Sequence, residues 1–313
     1  MSAKLKNKVC IVTGGGHGFG EAMAKRFAEE GAKVVIADIN RTTGAKVEGE
    51  INASYGAKTA FFQETNVTSQ ASWEKLLEAS LKQFGKVDVV VNNAGTTYPK
   101  KASHTVTEEE YDKVINVNMK SIFLSVAVVV PYFMEQKAGM ILNISSVGGI
   151  RVKNGLVWYG GTKAFVNKVL RLSRRKIIKL KSSQITEGLA SEYGHAGIRV
   201  NAICPILAYT DLYETSGILP QTASPMLTFS RAQAFMGVDD TPENRSKFEA
   251  SFPRGEALKQ NSSLGYVANA AVYLCSEDAA FVSGICMPVD GAATVYAAGG
   301  KLFFIRYQES SEG

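Results

Sequence analysis

A tyrosine and a lysine four residues apart, Tyr159 and Lys163, carry the clearest chemical signal in this 313-residue sequence. On a helix, that spacing places the phenol and the ammonium group on one face, where they can touch. A phenol normally ionises near pH ~10, and a neighbouring positive charge favours its ionised form. We therefore expect Lys163 to lower the pKa of Tyr159. Two serines, Ser145 and Ser146, follow an apolar run upstream, and a serine hydroxyl there could bind the oxygen of a reacting carbonyl or alcohol.

A glycine-rich turn follows the first buried strand of the sequence. We predict this strand over Val9–Val12, a turn ending at Gly20 and a helix over Glu21–Glu30. Glycines let backbone amides approach a pyrophosphate, and a helix N-terminus adds a partial positive charge. A second strand, Lys33–Asp38, ends in an acid about 20 residues beyond the turn, where a carboxylate can bind ribose hydroxyls. The pattern predicts a dinucleotide site that favours NAD, while nearby Arg41 leaves NADP possible.

Strand-like and helical stretches alternate along most of the chain. Further strands are predicted at 60–67, 87–95, 139–142, 198–205 and 285–291, and helices at 72–84 and 108–132. This alternation predicts a doubly wound parallel sheet of the Rossmann type, as a three-layer α/β/α single domain. In such a sheet, ligands bind at the carboxyl ends of the strands, and every motif named so far falls at such an end.

The composition is typical of a globular cytoplasmic protein. Hydrophobic residues make up 45% of the chain and charged residues 20%. The N-terminus lacks the features of a signal peptide, and the best apolar run stops at Pro131, short of the ~20 residues of a membrane span. The four cysteines form no CxxC pair and the three histidines are scattered, which predicts reduced thiols and no metal site.

The motifs and their order resemble those of the short-chain dehydrogenase/reductase family, in its single-domain type. The resemblance extends over most of the chain from Leu5 to Val295. Within the family, the chain is similar to 3-oxoacyl-[acyl-carrier-protein] reductases and secondary-alcohol dehydrogenases. Five motifs carry it: TGGGHGFG from Thr13, NNAG from Asn92, Asn118 within VNM, Ser146 thirteen residues before Tyr159 of YGGTK, and Pro205 followed by Thr210. No single motif is specific to this family, but the order and spacing of the five motifs together are specific to it.

The resemblance implies a role for each matched residue. Tyr159 is the expected general acid/base, and Lys163 is expected to lower its pKa and hold the nicotinamide ribose. Ser146, and not Ser145, is expected to orient the substrate oxygen, and Asn118 to hold a water that connects Lys163 to solvent. The implied cofactor-binding residues are Thr13, Gly14, Gly18, Phe19, Gly20, Asp38, Asn66, Val67, Asn93, Ala94, Gly95, Tyr159, Lys163, Ala208 and Thr210.

The function implied is hydride transfer between NAD(P) and a secondary alcohol or its ketone, with a small-molecule substrate. Two alternatives stay open: a non-catalytic cofactor-binding sensor or scaffold of the same fold, and an NADP-preferring ketoreductase of biosynthetic type. The family forms homodimers and homotetramers, so the same is expected here unless the inserted segment described next blocks the interface. No nucleic-acid partner and no membrane span are expected.

Three stretches depart from the family pattern. Segment 169–184 interrupts the helix after Lys163, and its six basic residues account for the whole formal net charge of +6. A continuous helix through sixteen extra residues would turn its buried face by about 160°. The segment is interpreted as a looped-out insertion, a basic membrane-surface or partner-binding element, or translated non-coding sequence; codons compatible with GT and AG borders favour the third. A long region, 211–260, is expected to be the substrate lid, enlarged around 213–231, and 297–313 is an extra C-terminal tail.

Overall fold

The computed structural model describes residues 3–151, 153–167, 185–206, 241, 243 and 263–294. The inserted segment 169–184, nearly all of the expected lid 211–260 and the tail 297–313 therefore lie outside the described residues. So do two predicted cofactor ligands, Ala208 and Thr210.

A seven-stranded, fully parallel sheet forms the centre of the protein, as the alternation of strands and helices predicts. Its spatial order is β3-β2-β1-β4-β5-β6-β7. The strand order reverses between β1 and β4, which opens a crevice for a ligand at the carboxyl end of β1. The strands are β1 (Val9–Thr13), β2 (Lys33–Asp38), β3 (Ala60–Glu64), β4 (Val89–Asn92), β5 (Gly139–Ile144), β6 (Ile198–Pro205) and β7 (Cys286–Val289).

Helices cover both faces of the sheet. They are α1 (Gly18–Glu29), α2 (Arg41–Tyr55), α3 (Gln70–Phe84), α4 (Glu108–Ile115), α5 (Ser121–Gln136), α6 (Val157–Val166), α7 (Ile185–Tyr193) and α8 (Leu264–Cys275). Side chains alternate along a strand, so β1 sends Cys10 and Val12 into the core below α1, α2 and α8. Its Val9 and Ile11 enter the opposite core, which α3 and α5 cover. This is the three-layer arrangement expected from the sequence.

The third strand is shorter than the sequence pattern suggests. The predicted strand at 60–67 ends at Glu64, and Asn66 begins a turn in which its side-chain oxygen accepts a hydrogen bond from the amide of Thr68 at 3.0 Å. An asparagine side chain that satisfies a nearby backbone amide competes with strand pairing. Asn66 and Val67 consequently lie in the loop at the carboxyl end of β3.

A continuous helical run, Glu108–Gln136, joins α4 to α5 through a π-helical turn at Asn116–Lys120. Among the described residues this run alone is long and apolar enough to cross a bilayer, by length and composition. Its side chains Val129 and Phe133 are fully buried against the sheet. A core helix of this kind meets the same length and composition criteria.

Candidate active site

The glycine-rich turn lies at the carboxyl end of β1, where it bends tightly into α1. Gly14 has a φ of +62°, and a β-carbon on it would lie 3.0 Å from Nδ2 of Asn93 and 3.1 Å from Cα of Ala94. A side chain at Gly20 would collide with the carbonyl oxygen of Gly14. Glycine is therefore required at both positions, and the N-terminus of α1 opens toward the crevice. Phe19, half-buried, packs against the core beneath this turn.

Asp38 ends β2 beside the turn, as predicted. Its Oδ2 accepts a hydrogen bond from the amide of Gly16 at 2.9 Å, and its Oδ1 accepts one from the amide of Asn40 at 2.9 Å. Burial raises the pKa of this carboxyl, but the imidazole of His17, 3.8 Å away, and the hydrogen bonds from the two amides outweigh burial and hold the pKa below its usual value. The group is therefore a fixed carboxylate at neutral pH.

Thr13 connects the glycine turn to the end of β4. Its hydroxyl accepts hydrogen bonds from the amides of Asn93 at 3.0 Å and Ala94 at 3.1 Å and donates to the carbonyl of Val91 at 3.1 Å. The side-chain amide of Asn93 donates back to the carbonyl of Thr13 at 2.8 Å. The predicted cofactor residues of β1 and β4 are thus brought together by direct hydrogen bonds. At the neighbouring strand end, Asn66 is exposed and Val67 is buried.

Ser146 and Tyr159 meet on the other side of the crevice. Ser146 follows the end of β5, and Tyr159 lies in the first turn of α6, where its phenol lies beside the side chain of Ser146. A β-carbon at Gly148, in the intervening turn, would lie 3.3 Å from Oγ of Ser146 and 3.4 Å from Cε1 of Tyr159. Ser145 points elsewhere, donating to the carbonyl of Lys163 at 2.9 Å, where it fixes the α6 backbone.

The pKa of Tyr159 differs from the sequence-based expectation. Burial raises this pKa above its usual value, and the neighbouring Ser146 hydroxyl offsets only part of the increase. The ammonium of Lys163 donates instead to the carbonyl oxygen of Ile144 at 3.0 Å. The expectation that Lys163 lowers the pKa of Tyr159 is therefore wrong for the protein by itself, because loss of phenolate hydration dominates.

Lys163 is a buried lysine, with 6% of its surface exposed. Burial lowers its pKa from 10.5 to about 8, and the nearby thiol of Cys204 opposes the change. A β-carbon on Gly95 would lie 3.3 Å from the ammonium nitrogen and 3.4 Å from Oδ1 of Asn118. Three residues predicted from separate motifs therefore converge at the carboxyl ends of β4 and β5.

Asn118 lies in the π-helical turn between α4 and α5 and is 2% exposed. Its Oδ1 accepts a hydrogen bond from the amide of Thr96 at 2.8 Å, and its Nδ2 donates to the carbonyl of Thr96 at 2.9 Å. The same nitrogen donates to the hydroxyl of Thr162 at 3.0 Å. Single π-turns within α-helices occur frequently at functional sites. Here the turn directs Asn118 toward the segment after β4 and toward α6.

Two supporting residues escaped the sequence reasoning. Thr162 connects Asn118 to α6, since its hydroxyl also donates to the carbonyl of Tyr159 at 2.7 Å. Asn167, at the end of α6, donates to the carbonyl of Ser146 at 3.0 Å. Thr162 lies three residues after Tyr159, so helical spacing could have placed it near the site; no sequence signal marked Asn167.

The inserted segment separates two helices that remain in contact. The hydroxyl of Thr186, in the first turn of α7, donates to the carbonyl of Val166, in the last turn of α6, at 3.1 Å. If residues 169–184 were removed, Thr186 would stand four positions after Val166. A threonine hydroxyl bonds the carbonyl four residues earlier in a continuous helix. The α6–α7 contact is thus the one that an uninterrupted helix would make.

Comparison with known proteins agrees with this arrangement. The model of the short chain dehydrogenase family matches residues 8–217. The chain is 35% identical over 291 residues to a 4-formylbenzenesulfonate dehydrogenase of Comamonas testosteroni, across 93% of this chain and 99% of that protein. It is 30% identical to a 3-oxoacyl-[acyl-carrier-protein] reductase of Thermotoga maritima, across 93% of this chain and all of the relative.

A solved structure shows the same likeness. The crystal structure of a 3-ketoacyl-(acyl-carrier-protein) reductase from Brucella melitensis, complexed with NADH, shares 32% identity with this chain and superposes with a TM-score of 0.73. It covers 93% of this chain and 100% of its own. Together with the parallel sheet, the glycine turn and the residues gathered at its edge, these similarities show that the chain belongs to the short-chain dehydrogenase family and is an oxidoreductase of that family.

Proposed function

We propose that this protein transfers a hydride between a nicotinamide cofactor, with NAD preferred, and a secondary alcohol or its ketone. The observation that carries the proposal is that Ser146 and Tyr159 lie side by side at Gly148, on the helix that also carries the buried ammonium of Lys163. A phenol and a serine hydroxyl directed at one point can both bind a single carbonyl oxygen.

The residues at the crevice suit a dinucleotide. The turn at Gly14 and Gly20 has no room for side chains, so backbone amides can approach a pyrophosphate at the N-terminus of α1. The fixed carboxylate of Asp38 can accept hydrogen bonds from ribose hydroxyls and would repel the additional phosphate of NADP. Arg41, the residue that could accept that phosphate, is instead paired with Glu64 at 2.8 Å. These contacts favour NAD.

The protein's own groups would handle the proton. Because burial keeps the pKa of Tyr159 high, the phenol is protonated at neutral pH and can donate to a ketone oxygen that Ser146 also binds. Lys163 and Asn118 lie next to each other across Gly95, so a water between them could return the proton from solvent. When bound, the nicotinamide supplies or accepts the hydride. Alcohol oxidation requires the phenolate, so it should need higher pH than ketone reduction.

The substrate class is open within this chemistry. The relatives include proteins named levodione reductase, 2-(R)-hydroxypropyl-CoM dehydrogenase and 2,5-dichloro-2,5-cyclohexadiene-1,4-diol dehydrogenase. Their names describe unrelated carbon skeletons that each carry an alcohol or carbonyl group. The relatives therefore support the reaction type proposed for this chain, and their names favour no one substrate.

Turnover separates this proposal from a cofactor-binding scaffold. Purified protein is titrated with NADH and NADPH by fluorescence and then assayed with a broad panel of ketones and secondary alcohols. An enzyme should bind NADH more tightly than NADPH and oxidise it with at least one ketone. Tight NADH binding without turnover of any compound would instead support the scaffold.

We also propose a cytoplasmic homo-oligomer. Large apolar side chains on the α5–α6 side of the protein are exposed, including Phe123 at 65%, Phe165 at 42% and Trp158 at 41%. Exposed aromatic side chains of this kind commonly mark an interface. Light scattering after size-exclusion chromatography tests the assembly, and a monomer at micromolar concentration would contradict it.

A further inference from the structure

Asn167 directly follows α6 and is buried, with 1% of its surface exposed. Its backbone amide donates to the carbonyls of Lys163 and Ala164, at 3.1 and 3.0 Å, so the last turn of the helix fixes its position. Its own backbone is extended, with a φ of −103° and a ψ of 156°. Because buried amide side chains are nearly always hydrogen-bonded, the partners of this side chain show which segments it connects.

The side chain of Asn167 connects the ends of two neighbouring strands. Its Nδ2 donates to the carbonyl of Ser146, just beyond β5, at 3.0 Å. Its Oδ1 accepts a hydrogen bond from the thiol of Cys204, near the end of β6, at 3.0 Å. A carbonyl can only accept, so the nitrogen of the amide must face Ser146 and its oxygen must face the thiol. The contact with β6 therefore fixes the orientation in which the amide meets Ser146.

The carbonyl that Asn167 binds belongs to the serine beside the phenol of Tyr159. Ser146 precedes the short turn Val147–Gly149, and its carbonyl also accepts a hydrogen bond from the amide of Gly149 at 3.0 Å. Its Oγ accepts one from the amide of Gly148 at 3.0 Å. Since Gly148 is the donor in that bond, the hydroxyl proton can be donated to another oxygen, as binding of a substrate carbonyl requires. The direction of that proton depends on how the Ser146 backbone is held.

Ser146 and Tyr159 belong to different elements, so contacts between the loop after β5 and α6 set their separation. Gly149 packs directly on the helix, since a β-carbon there would lie 2.5 Å from the carbonyl carbon of Lys163. Asn167, one helical turn beyond Lys163, adds a hydrogen bond to the Ser146 backbone itself. The helix that carries the phenol and the serine beside it are thus connected through Asn167.

We propose that Asn167 is a positioning residue for the reaction: by binding the carbonyl of Ser146, it directs the serine hydroxyl toward the oxygen that Tyr159 protonates. This inference rests on the proposed oxidoreductase function, whose catalytic geometry it specifies. Asn167 acts through Ser146 and not by contact with the substrate. Because small displacements of a reacting group slow the chemical step, loss of this hydrogen bond should reduce kcat and leave cofactor binding on the β1–β4 side nearly unchanged.

A double-mutant cycle tests whether Asn167 acts through Ser146. Asn167→Ala should lower kcat for ketone reduction about tenfold while it changes the Kd of NADH less than about twofold. In a Ser146→Ala background the same replacement should change kcat less than about twofold, since the effects of residues that act as one unit do not add. Equal losses of kcat in the two backgrounds would overturn the proposal.

Asn201 provides the matched control. It is a fully buried asparagine of β6 with two similar hydrogen bonds: its Nδ2 donates to the carbonyl of Val282 at 2.8 Å, and its Oδ1 accepts from the amide of Ile285 at 3.1 Å. Asn201→Ala should lower the unfolding midpoint as Asn167→Ala does, yet change kcat less than about twofold. A loss of kcat as large as that in Asn167→Ala would contradict a specific role for Asn167. If Asn167→Ala does not fold, Asn167→Leu replaces it, because leucine fills the space and removes both hydrogen bonds.

Hydrogen exchange decides the proposal if no ketone is turned over. The amides of Gly148 and Gly149 donate to Oγ and to the carbonyl of Ser146, so their exchange reports how firmly Ser146 is held. Asn167→Ala should speed exchange of these amides about tenfold, measured by mass spectrometry of a peptide that spans 146–151, and Asn201→Ala should not. This result supports the positioning role even if the proposed hydride transfer fails. Unchanged exchange in Asn167→Ala overturns it.

Discussion

On the β1–β4 side of the sheet, the groups that suit a cofactor are held by hydrogen bonds that connect the ends of β1, β2 and β4. Thr13 and Asn93 are hydrogen-bonded to each other, and the carboxylate of Asp38 accepts hydrogen bonds from two backbone amides. On the β5–β7 side, the reacting groups depend on burial. Lys163 is buried against the end of β5, and its helix, α6, is separated from α7 by the inserted segment.

This difference shows where stability and chemistry compete. A hydrogen-bonded glycine turn gains its ligand-binding geometry from neutral and charge-assisted hydrogen bonds that also favour folding. Burying the ammonium group of Lys163 reduces the free energy of unfolding. The fall of its pKa from 10.5 to about 8 when the chain folds reflects this cost. The β1–β4 side should therefore tolerate little change in shape. The β5–β7 side should become more stable when the buried ammonium group of Lys163 is removed.

The largest expected effect comes from removing the phenol. Tyr159→Phe deletes the proton donor and should lower kcat for ketone reduction by about a thousandfold or more, since general acid catalysis contributes ~10²–10⁴-fold. NADH affinity, which depends on the β1–β4 side, should change less than about threefold. Steady-state kinetics and NADH fluorescence measure the two effects.

Tyr98→Phe is the matched control for that variant. It removes a buried hydroxyl that accepts a hydrogen bond from the amide of Trp158 at 3.0 Å. Stability should fall by about 1 kcal/mol, while kcat stays within a few-fold. If both variants lose activity equally, the assignment of Tyr159 as the proton donor is wrong.

Replacing the buried lysine should separate stability from function. Lys163→Met should abolish turnover and yet stabilise the cofactor-free protein at pH 7 by an amount on the order of 3 kcal/mol, because the charged form is disfavoured by burial. Chemical denaturation measures the change. A variant less stable than the parent at pH 7 would contradict this account.

The pH dependence of that stabilisation has a defined sign. The pKa of Lys163 is lower in the folded chain, so the unfolded chain binds more protons between pH 8 and 10.5. The penalty is complete below pH 8 and disappears as the pH rises to 10.5. The advantage of Lys163→Met over the parent should shrink over the same interval.

Removing residues 169–184 should preserve the β5–β7 side. The deletion places Thr186 four positions after Val166, the spacing that their 3.1 Å hydrogen bond already matches. Joining α6 directly to α7 should stabilise the fold by about 2 kcal/mol, since closure of a sixteen-residue loop is no longer needed. Unfolding midpoints and NADH titration measure the outcome.

A shorter deletion provides the control. Removing 171–184 leaves two extra residues, which rotate α7 by about 200° relative to α6 and turn its buried face away from the sheet. That variant should be less stable than the parent. If the shorter deletion is tolerated and the longer one is insoluble, the two helices are not halves of one helix.

The smallest effect concerns the choice of cofactor. Asp38→Ala removes the carboxylate that repels the extra phosphate of NADP, and it should shift the NADH-to-NADPH affinity ratio toward NADPH by about tenfold. Glu64→Ala releases Arg41 and should shift the ratio in the same direction but less. An unchanged ratio in Asp38→Ala would favour the NADP-preferring alternative.

Local sequence patterns predicted the elements on the β1–β4 side of the sheet well. Strand β2 has the predicted limits, and Gly14, Gly20, Asp38 and Asn93 lie together at the edge of the sheet. Gly14, Gly20 and Asp38 follow from a strand, a tight turn, a helix and a second strand that are consecutive in the chain, and Asn93 follows from its place at the end of another predicted strand. The end of β3 was predicted too late, because the turn formed by the Asn66 side chain competes with strand pairing.

The sequence by itself determined the order of strands and helices, the family and the identity of the residues at the strand ends. Each of these depends on periodicity, glycine geometry and motif spacing along one stretch of chain. The tertiary structure decided the direction in which the pKa values of Tyr159 and Lys163 shift, and the contacts of Thr162 and Asn167. Burial and hydrogen bonds between distant segments set these properties, and spacing along the chain does not encode how completely a charge loses its water.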